Sequence, residues 1–136
     1  MVQEPQREKR NLMTDEELKK KRELSKMRML SLKHHIFVCN GGCCRKNAAA
    51  ENIVQCFKEV VDEFGIADII RITPTSSCIG RCADACSVVI YPEGTWYKQV
   101  TPEVVHKIIK EHLIEGCKLE SNISFTYENG KFIENI

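Results

Sequence analysis

Cysteine side chains can bind metals, undergo redox chemistry or fill a core, and the 136-residue chain contains eight cysteines. Cys39, Cys43 and Cys44 surround a pair of glycines, and Cys78 and Cys82 lie together further along the chain. Both groups fall in predicted loops beside apolar runs that resemble strands, and loops at strand ends can converge on one site. One pair of cysteines from each loop would supply four thiolates, which is the ligand set of a [2Fe–2S] cluster.

Zinc binding and thiol redox chemistry are alternatives, because both also use cysteine side chains. Structural zinc sites favour C-x2-C spacing, whereas the spacing here is C-x4-C from Cys39 to Cys44 and C-x3-C from Cys78 to Cys82. A thioredoxin-type redox site needs C-x-x-C at a helix N-terminus, which is absent, although the adjacent Cys43 and Cys44 could oxidise. The spacing favours an iron–sulfur cluster and leaves zinc, thiol redox chemistry and cysteines that merely fill the core as open alternatives.

Glycines accompany the predicted ligands, and two further cysteines lie apart from them. Gly41, Gly42 and Gly80 would let backbone N–H groups approach the bridging sulfides of a cluster without a clash from a Cβ atom. Cys56 lies close to the apolar face of a predicted helix and Cys117 follows another. We therefore expect Cys56 and Cys117 to have structural roles in the core.

The overall composition narrows the class of protein. Lys plus Arg is 20 and Asp plus Glu is 19, and this balance argues against a dedicated nucleic-acid binder. The sequence has neither an apolar run long enough for a transmembrane helix nor a signal-peptide core. We therefore expect a cytoplasmic protein in a reducing compartment, where disulfides are disfavoured.

Residues 1–33 differ from the rest of the chain in charge. They carry ten basic and six acidic residues, a net charge of +4, which leaves ten basic and thirteen acidic residues, a net charge of −3, for residues 34–136. The S/T-x-x-E pattern at Thr14 predicts an exposed helix from about Asp15 to Leu30 after a disordered start at Met1–Leu12. We expect a basic extension that is either a solvated segment or a docking helix for an acidic partner.

The apolar patterns predict one α/β domain over residues 34–136. Its elements follow the order strand, helix, strand, strand, strand, helix, which is the order of thioredoxin-like folds. We therefore predict a mixed four-stranded sheet packed by two main helices, with the N-terminal helical extension beside it. The predicted strands are His35–Cys39, Ala67–Ile72, Ser87–Tyr91 and Thr95–Gln99, the helices are Asn47–Phe64 and Pro102–Glu115, and a weak tail hairpin joins Ser121–Phe125 to Lys131–Ile133.

Several segments resemble the thioredoxin-like [2Fe–2S] ferredoxins, and the similarity covers about residues 34–117. They are the strand that ends at Cys39, the Cys78-Ile79-Gly80-Arg81-Cys82 loop, the Tyr-Pro-Glu-Gly-x-Trp-Tyr turn within Val88–Tyr97, and Val100–Val105. The resemblance implies a thioredoxin-like fold, a [2Fe–2S] cluster near the surface, one-electron transfer and a homodimer.

The resemblance also implies a ligand set. Cys39, Cys78 and Cys82 match three ligands of the family. For the fourth ligand we favour Cys44, because Cys39-x4-Cys44 resembles the spacing in the small iron–sulfur subunit of NADH-quinone oxidoreductase, and Cys43 is the competing candidate. Cys86 departs from the pattern, since relatives commonly have proline near that position; it would lie beside the ligands or be a tolerated small residue.

The implied function is that of an electron carrier without substrate turnover of its own, so we do not expect an enzyme. Its partners would be redox proteins such as a reductase, a hydrogenase or a nitrogenase-type enzyme. The alternative is an iron–sulfur subunit or accessory protein of a larger redox complex, such as a hydrogenase or NADH dehydrogenase. A zinc-bound interaction module is a third candidate.

Five other side chains complete these expectations. Arg81 would place a positive charge near the cluster and dock an acidic partner, or would be a solvated side chain. His34 and His35 are expected to lie away from the cysteine loops and not to be ligands. Trp96 and Tyr97 are expected to serve packing or a dimer interface.

Overall fold

The computed structural model describes residues 12–47 and 50–135, without the side chains of Cys43, Arg45, Asn47 and Cys82. The disordered start predicted at Met1–Leu12 thus lies, apart from its last residue, outside the described residues. The chain divides into two units between Ser31 and Leu32.

The first unit contains one helix, α1, at Asp15–Ser31, close to the predicted bounds. Its capping box is formed: the Glu17 N–H donates to Thr14 Oγ1 at 3.2 Å and the Thr14 N–H donates to Glu17 Oε1 at 3.1 Å. No residue of α1 is buried. Packing within this unit therefore does not stabilise the helix, which relies on its own hydrogen bonds and its cap.

The second unit is built on one mixed sheet of six strands. The strands are β1 (His34–Val38), β2 (Ile70–Pro74), β3 (Val88–Tyr91), β4 (Thr95–Tyr97), β5 (Ile123–Glu128) and β6 (Lys131–Glu134). Their order across the sheet is β2-β1-β3-β4-β5-β6. β1 and β2 are parallel, and every other neighbouring pair is antiparallel.

Strands β1 to β4 form the predicted mixed sheet, but the sheet has six strands rather than the expected four. The tail hairpin, predicted to be weak and separate, pairs through β5 with β4 and extends the sheet. Gly94 makes this possible, because a Cβ atom at that position would lie only 2.8 Å from Cβ of Tyr127. Because Gly94 and Tyr127 are far apart in the sequence, the local pattern of apolar residues does not predict their contact.

Three helical segments accompany the sheet: α2 (Gly42–Asn47), α3 (Ala50–Glu63) and α4 (Pro102–Lys107), which continues as a π-helical turn at Ile108–Ile114. Asn47, predicted to begin the first long helix, is instead the last residue of α2. Thr101 caps α4 as predicted, since its Oγ1 accepts from the Val104 N–H at 3.4 Å. The apolar face of α3 is buried as predicted and consists of Ala50, Ile53, Val54, Phe57, Val60 and Val61.

The two faces of the sheet differ in burial. α3 and α4 pack against each other, so they cover the same face. Beneath them Ile36, Val38 and Ile90 are fully buried, whereas Phe37 and Val89, which point the other way, are half-buried. We call this second face the open sheet face; its residues are His35, Phe37, Arg71, Thr73, Val89, Tyr91, Trp96, Phe125, Tyr127, Phe132 and Glu134.

A buried polar network joins the π-helical turn to the sheet. His112 is 5% exposed, its Nδ1 lies 2.7 Å from the hydroxyl of Tyr97, and its Nε2 lies 3.3 Å from Oε2 of Glu93. The Leu119 N–H donates to the Tyr97 hydroxyl at 3.3 Å, and Nδ1 of His34 lies 2.9 Å from Glu93 Oε2. These bonds hold the β3–β4 turn against the helical layer, and they connect Glu93 and Tyr97 of one sequence motif to residues outside it.

The network shifts two acid–base equilibria. Burial alone would raise the pKa of Glu93, but the hydrogen bond from His112, a bond from its own backbone N–H and the charge and hydrogen bond of His34 hold it at about 2. Burial raises the pKa of Tyr97 to about 12, so its hydroxyl stays protonated at neutral pH.

No helix of the described residues is both long and apolar enough to cross a membrane.

Candidate metal centre

Cys39 stands at the end of the central strand β1. Its N–H donates to the Ser87 carbonyl at 3.0 Å, which continues the pairing of β1 with the chain before β3 as far as this cysteine. Cys44 lies in α2, the short helix that begins at Gly42. Both residues are only 1% exposed, so the strand and the helix direct the two side chains into the protein rather than into solvent.

Two other candidate thiols affect the pKa of Cys44. Burial raises this pKa, a backbone hydrogen bond from Ser87 acts in the opposite direction, and the neighbouring thiols of Cys39 and Cys78 raise it further. The thiols of Cys39 and Cys78 therefore lie within electrostatic range of Cys44, although Cys78 comes from a separate loop.

Close backbone contact joins those two loops. A Cβ atom at Gly41 would lie 2.6 Å from both the backbone nitrogen and Cα of Cys78, so only glycine permits this approach. Thr75 provides a second link: the Asn40 N–H donates to Thr75 Oγ1 at 3.1 Å, and that hydroxyl donates to the Ser77 carbonyl at 2.9 Å. Thr75 was not singled out by sequence reasoning, because its role depends on a tertiary contact.

The other two glycines differ from each other. Gly80 has φ +103°, a conformation that other residues rarely adopt, and its N–H donates to Cys78 Sγ at 3.2 Å. This bond goes to a cysteine sulfur, and the expected bonds to bridging sulfides stay a prediction. Gly42 has open space where a side chain would stand, so no described residue requires a glycine there, and its approach to a bridging sulfide stays a prediction.

The backbone at Cys82 begins a short 3-10 turn, Cys82–Asp84. The turn is held on both sides: Arg81 Nε donates to Asp84 Oδ2 at 2.7 Å, and the Gln99 N–H donates to the Asp84 carbonyl at 2.9 Å. Ser87 Oγ donates to the Arg81 carbonyl at 3.0 Å. These bonds fix the backbone position of Cys82, another of the predicted ligands.

Cys86 lies beside the candidate ligands. It is 1% exposed, and its Sγ lies 3.9 Å from the Cys39 carbonyl oxygen. Burial, followed by the thiols of Cys44 and Cys39, raises the pKa of Cys86 to about 12. Of the two roles expected for this residue, a position beside the ligands fits better than an unrelated small residue.

The remaining cysteines have separate environments. Cys56 is half-buried against the core, as expected, and its Sγ lies 3.9 Å from the Pro102 carbonyl oxygen. Cys117 is exposed, so the expectation that it lies in the core is wrong. Gly116 reverses the chain at φ +81°, the Cys117 N–H bonds to the Glu111 carbonyl at 2.7 Å, and Leu119 takes the buried position.

The histidines and aromatic residues fall largely as expected. His34 bonds to Glu93 at the start of β1, and Nε2 of His35 lies 2.7 Å from Thr73 Oγ1, so both imidazoles have partners other than cysteine. Tyr97 is fully buried and serves packing. Trp96 is half-buried on the open sheet face and contacts Phe132 edge to face.

Arg81 combines polar and aromatic contacts. Besides its bond to Asp84, its guanidinium carbon lies 4.9 Å from the centroid of the Phe125 ring. Its side chain is 39% exposed. It lines a cavity of about 270 Å³ with Ile79, Gly80, Trp96, Phe125 and Phe132, so the cysteine loop and the open sheet face adjoin each other.

The described side chains alone do not complete a metal site. In the part of the chain that the structure describes, no three His, Cys, Asp or Glu side chains have the geometry to hold a metal ion. The side chain of Cys82 is outside that part, as is that of Cys43. The described residues do show buried thiols and the Gly80 N–H, which donates to a cysteine sulfur. They also show Gly41, where the opposite loop leaves no room for a larger residue.

Comparisons with known sequences place these features among iron–sulfur proteins. A protein of Priestia megaterium that carries the provisional name of a 2Fe-2S ferredoxin is 39% identical over 101 residues, which are 74% of this chain and 77% of that protein. The 2Fe-2S ferredoxin of Clostridium pasteurianum is 36% identical over 97 residues, 65% of this chain and 92% of the relative. No protein-family model matches the chain.

Solved structures agree with the sequence relatives. A structure of the thioredoxin-like [2Fe–2S] ferredoxin from Aquifex aeolicus is similar to this chain with a TM-score of 0.66 and 29% identity. The similarity covers 75% of this chain and 99% of that one. A crystal structure of the wild-type form of that ferredoxin gives a TM-score of 0.60 with 30% identity, over 68% of this chain and 96% of the other.

Proposed function

We propose, because this chain belongs to the thioredoxin-like [2Fe–2S] ferredoxin family, that it is a one-electron carrier that holds a [2Fe–2S] cluster on Cys39, Cys44, Cys78 and Cys82. The observation that carries the proposal is the contact of Gly41 with the backbone of Cys78. This contact brings the two cysteine loops together, and four thiolates from two loops are the ligand set that such a cluster needs.

The residues present fit this group. The donors are thiols, which are the usual ligands of iron–sulfur clusters, and the Gly80 N–H already donates to Cys78 Sγ. When bound, a [2Fe–2S] cluster takes up and releases one electron. The chain itself buries Cys39 and Cys44 away from water and leaves Cys78 at the surface, where a partner protein could approach.

Cys44 is the better candidate than Cys43 for the fourth ligand. Its thiol is buried and interacts with those of Cys39 and Cys78. This burial and these neighbouring thiols support Cys44 as the ligand.

The finer functional assignments follow from the family. We infer redox-protein partners such as a reductase, a hydrogenase or a nitrogenase-type enzyme, a homodimer, a cytoplasmic location and no substrate turnover. The division of the chain into a basic extension at residues 1–33 and a ferredoxin domain at 34–136 is part of this proposal. α1 supports it, because the helix is exposed along its length and carries a run of four basic residues at Lys19–Arg22.

The same exposed basic helix favours the second candidate function, that of an accessory or subunit of a larger redox complex. An unburied basic helix can dock on an acidic surface of a neighbouring protein. In that case the chain should elute from native extract in a stable stoichiometric complex, whereas a free carrier should elute alone.

One-electron redox behaviour tests the primary proposal. The full chain, purified without oxygen, is reduced by a titrant and followed by visible absorption and electron paramagnetic resonance. We expect a couple that fits one electron and a signal from a reduced [2Fe–2S] cluster, with the same result for Cys117→Ala, whose thiol is exposed. A protein with no one-electron couple, or with bound zinc in place of iron, would overturn it.

A further inference from the structure

Cys86 is a buried thiol that the proposed ligand set does not use. It follows the 3-10 turn at Cys82–Asp84 and precedes β3. Its exposed fraction is 1%, the same as for the candidate ligands Cys39 and Cys44. A polar group that is buried this deeply is expected to have a bonding partner, so the surroundings of Cys86 indicate what its thiol does.

Backbone hydrogen bonds hold Cys86 in place beside the end of β1. The Cys39 N–H donates to the Ser87 carbonyl at 3.0 Å, and the Val100 N–H donates to the carbonyl of Cys86 itself at 3.1 Å. Ser87 Oγ in turn donates to the Arg81 carbonyl at 3.0 Å. Because bonds from segments on both sides fix this part of the chain, the side chain of Cys86 starts from a defined position.

The sulfur atom of Cys86 lies beside two candidate ligands. Its Sγ is 3.9 Å from the Cys39 carbonyl oxygen. Burial, the thiols of Cys44 and Cys39 and a hydrogen bond with the Cys44 side chain raise the pKa of Cys86, which requires Cys86 and Cys44 to be neighbours. The backbone of Ser87 also bonds to the Cys44 thiol, so two consecutive residues, Cys86 and Ser87, contact Cys44.

A thiol in this position can donate one hydrogen bond. The S–H group is a weak donor to a carbonyl oxygen, and it can turn about the Cβ–Sγ bond towards a better acceptor without any movement of the sulfur atom. A cysteine that binds metal does so as a thiolate, so ligation would make the sulfur of Cys44 a charged acceptor. Hydrogen bonds to charged groups are about twice as strong as those between neutral groups.

Burial of the ligands gives such a donor a specific effect. Cys39 and Cys44 are shielded from water, so hydrogen bonds to their sulfur atoms must come from the protein. On the exposed loop the Gly80 N–H donates to Cys78 Sγ at 3.2 Å, and Cys86 would supply a corresponding bond on the buried side. Hydrogen bonds to sulfur raise the potential of an iron–sulfur cluster, because they stabilise its more negatively charged, reduced form.

We propose that the Cys86 thiol donates a hydrogen bond to the ligand sulfur of Cys44 and thereby raises the reduction potential of the cluster. The proposal rests on the proposed function and on the assignment of Cys44 as a ligand. Cys86 is then a positioning residue, which acts through the sulfur of Cys44 and does not itself bind iron.

Redox titration of the full-length holoprotein tests the proposal. Cys86→Ala and Cys86→Ser are nearly equal in size and both lack the sulfur, but only Cys86→Ser keeps a donor. We expect Cys86→Ala to lower the equilibrium constant for reduction roughly threefold or more, which is about 30 mV, since a tenfold change is about 59 mV. Cys86→Ser should lower it by less.

Cys56→Ala is the matched control. Cys56 Sγ also lies 3.9 Å from a carbonyl oxygen, that of Pro102. Burial and the charges of Glu59 and Glu63, rather than other thiols, raise the pKa of Cys56, so this cysteine has the same kind of contact without a candidate ligand beside it. Cys56→Ala should keep the wild-type potential.

A second matched pair serves if Cys86→Ala does not retain its cluster. Cys86→Thr and Cys86→Val are equal in size and differ in the hydroxyl donor, and a cavity of about 260 Å³ lined by Cys86, Ile53 and Val100 leaves room for either side chain. Pulsed electron paramagnetic resonance of reduced protein prepared in D2O adds a direct reading. A deuteron coupling seen in the wild type and in Cys86→Ser should be missing in Cys86→Ala.

Three results would overturn the proposal: equal potentials of Cys86→Ala and the wild type, equal shifts in variants with and without a donor, or loss of the cluster from all four variants. The last result would assign Cys86 to cluster assembly. A cluster that survives Cys44→Ala would also overturn the role of Cys86 and would leave the electron-carrier proposal standing. A full chain that binds no iron or sulfide would contradict the electron-carrier proposal and this one with it.

Discussion

Gly41 lies so close to Cys78 that a Cβ atom on the glycine would stand 2.6 Å from the backbone nitrogen and Cα of the cysteine. No nearby flexible side chain can move to relieve such a contact, because the crowded atoms belong to the backbone. The absence of a side chain at Gly41 therefore allows the two loops that carry the candidate ligands to lie this close together.

Gly41→Ala should separate the two loops. We expect the iron and sulfide content to fall to less than half and the free energy of unfolding to drop by about 1–3 kcal/mol, as for other overpacked sites. Gly42→Ala is the matched control, because a Cβ at Gly42 meets nothing within 4 Å. Equal cluster content in the two variants, measured by chemical assay after anaerobic purification, would show that the loops do not depend on this contact.

Substitution of the adjacent cysteines should distinguish the fourth ligand. Cys44→Ala should lose or severely destabilise the cluster, because the buried thiol beside Cys39 is removed, whereas Cys43→Ala should keep it. The visible spectrum of each variant and its rate of bleaching in air provide the measurement. The opposite pattern, a bleached Cys43→Ala and an intact Cys44→Ala, would transfer the ligand assignment to Cys43.

Glu93→Gln should weaken the protein in a pH-dependent way. The carboxylate has a folded-state pKa of about 2, below its value of 4.5 in an ordinary environment, so its ionised form stabilises the fold above pH 4.5. This contribution is lost as the pH falls towards 2. We therefore expect the wild type to exceed Glu93→Gln in unfolding free energy at pH 7, by about 1–3 kcal/mol, and the difference to shrink in acid.

Denaturant unfolding at several pH values measures this difference. Glu128→Gln is a suitable control, since Glu128 is exposed on β5 and should show little effect at any pH. A Glu93→Gln defect that stays constant from neutral pH down to the acid range would rule out the ionised carboxylate as its cause.

Tyr97→Phe should destabilise the fold without affecting the metal centre. The hydroxyl bonds to His112 Nδ1 and accepts from the Leu119 N–H, and its loss leaves two buried polar groups without that partner. The expected loss is about 1–3 kcal/mol, whereas Tyr127→Phe, at a 48% exposed residue, should change little. Thermal unfolding and the visible spectrum together provide the measurement, and equal stability of the two variants would contradict the role of the network.

Local patterns in the sequence predicted much of this structure for physical reasons that can be named. The capping box at Thr14, the apolar face of α3 and the apolar strands β1 and β3 depend on neighbours within one turn or one strand. Convergence of the two cysteine loops was also predictable, because both loops lie beside ends of adjacent strands.

Long-range contacts account for what was missed. The six-stranded sheet depends on Gly94 making room for Tyr127. The network around His112 and the bridging role of Thr75 likewise join residues from distant parts of the chain. None of these contacts has a periodicity or a spacing that a single sequence reveals.

Chemical analysis of the purified protein tests the central claim most directly. Iron, acid-labile sulfide and zinc are measured on the full chain isolated without oxygen, together with its visible spectrum. The account predicts about two irons and two sulfides per chain, no stoichiometric zinc and absorption bands of sulfur-to-iron charge transfer. A colourless protein that holds zinc and contains no labile sulfide would contradict it.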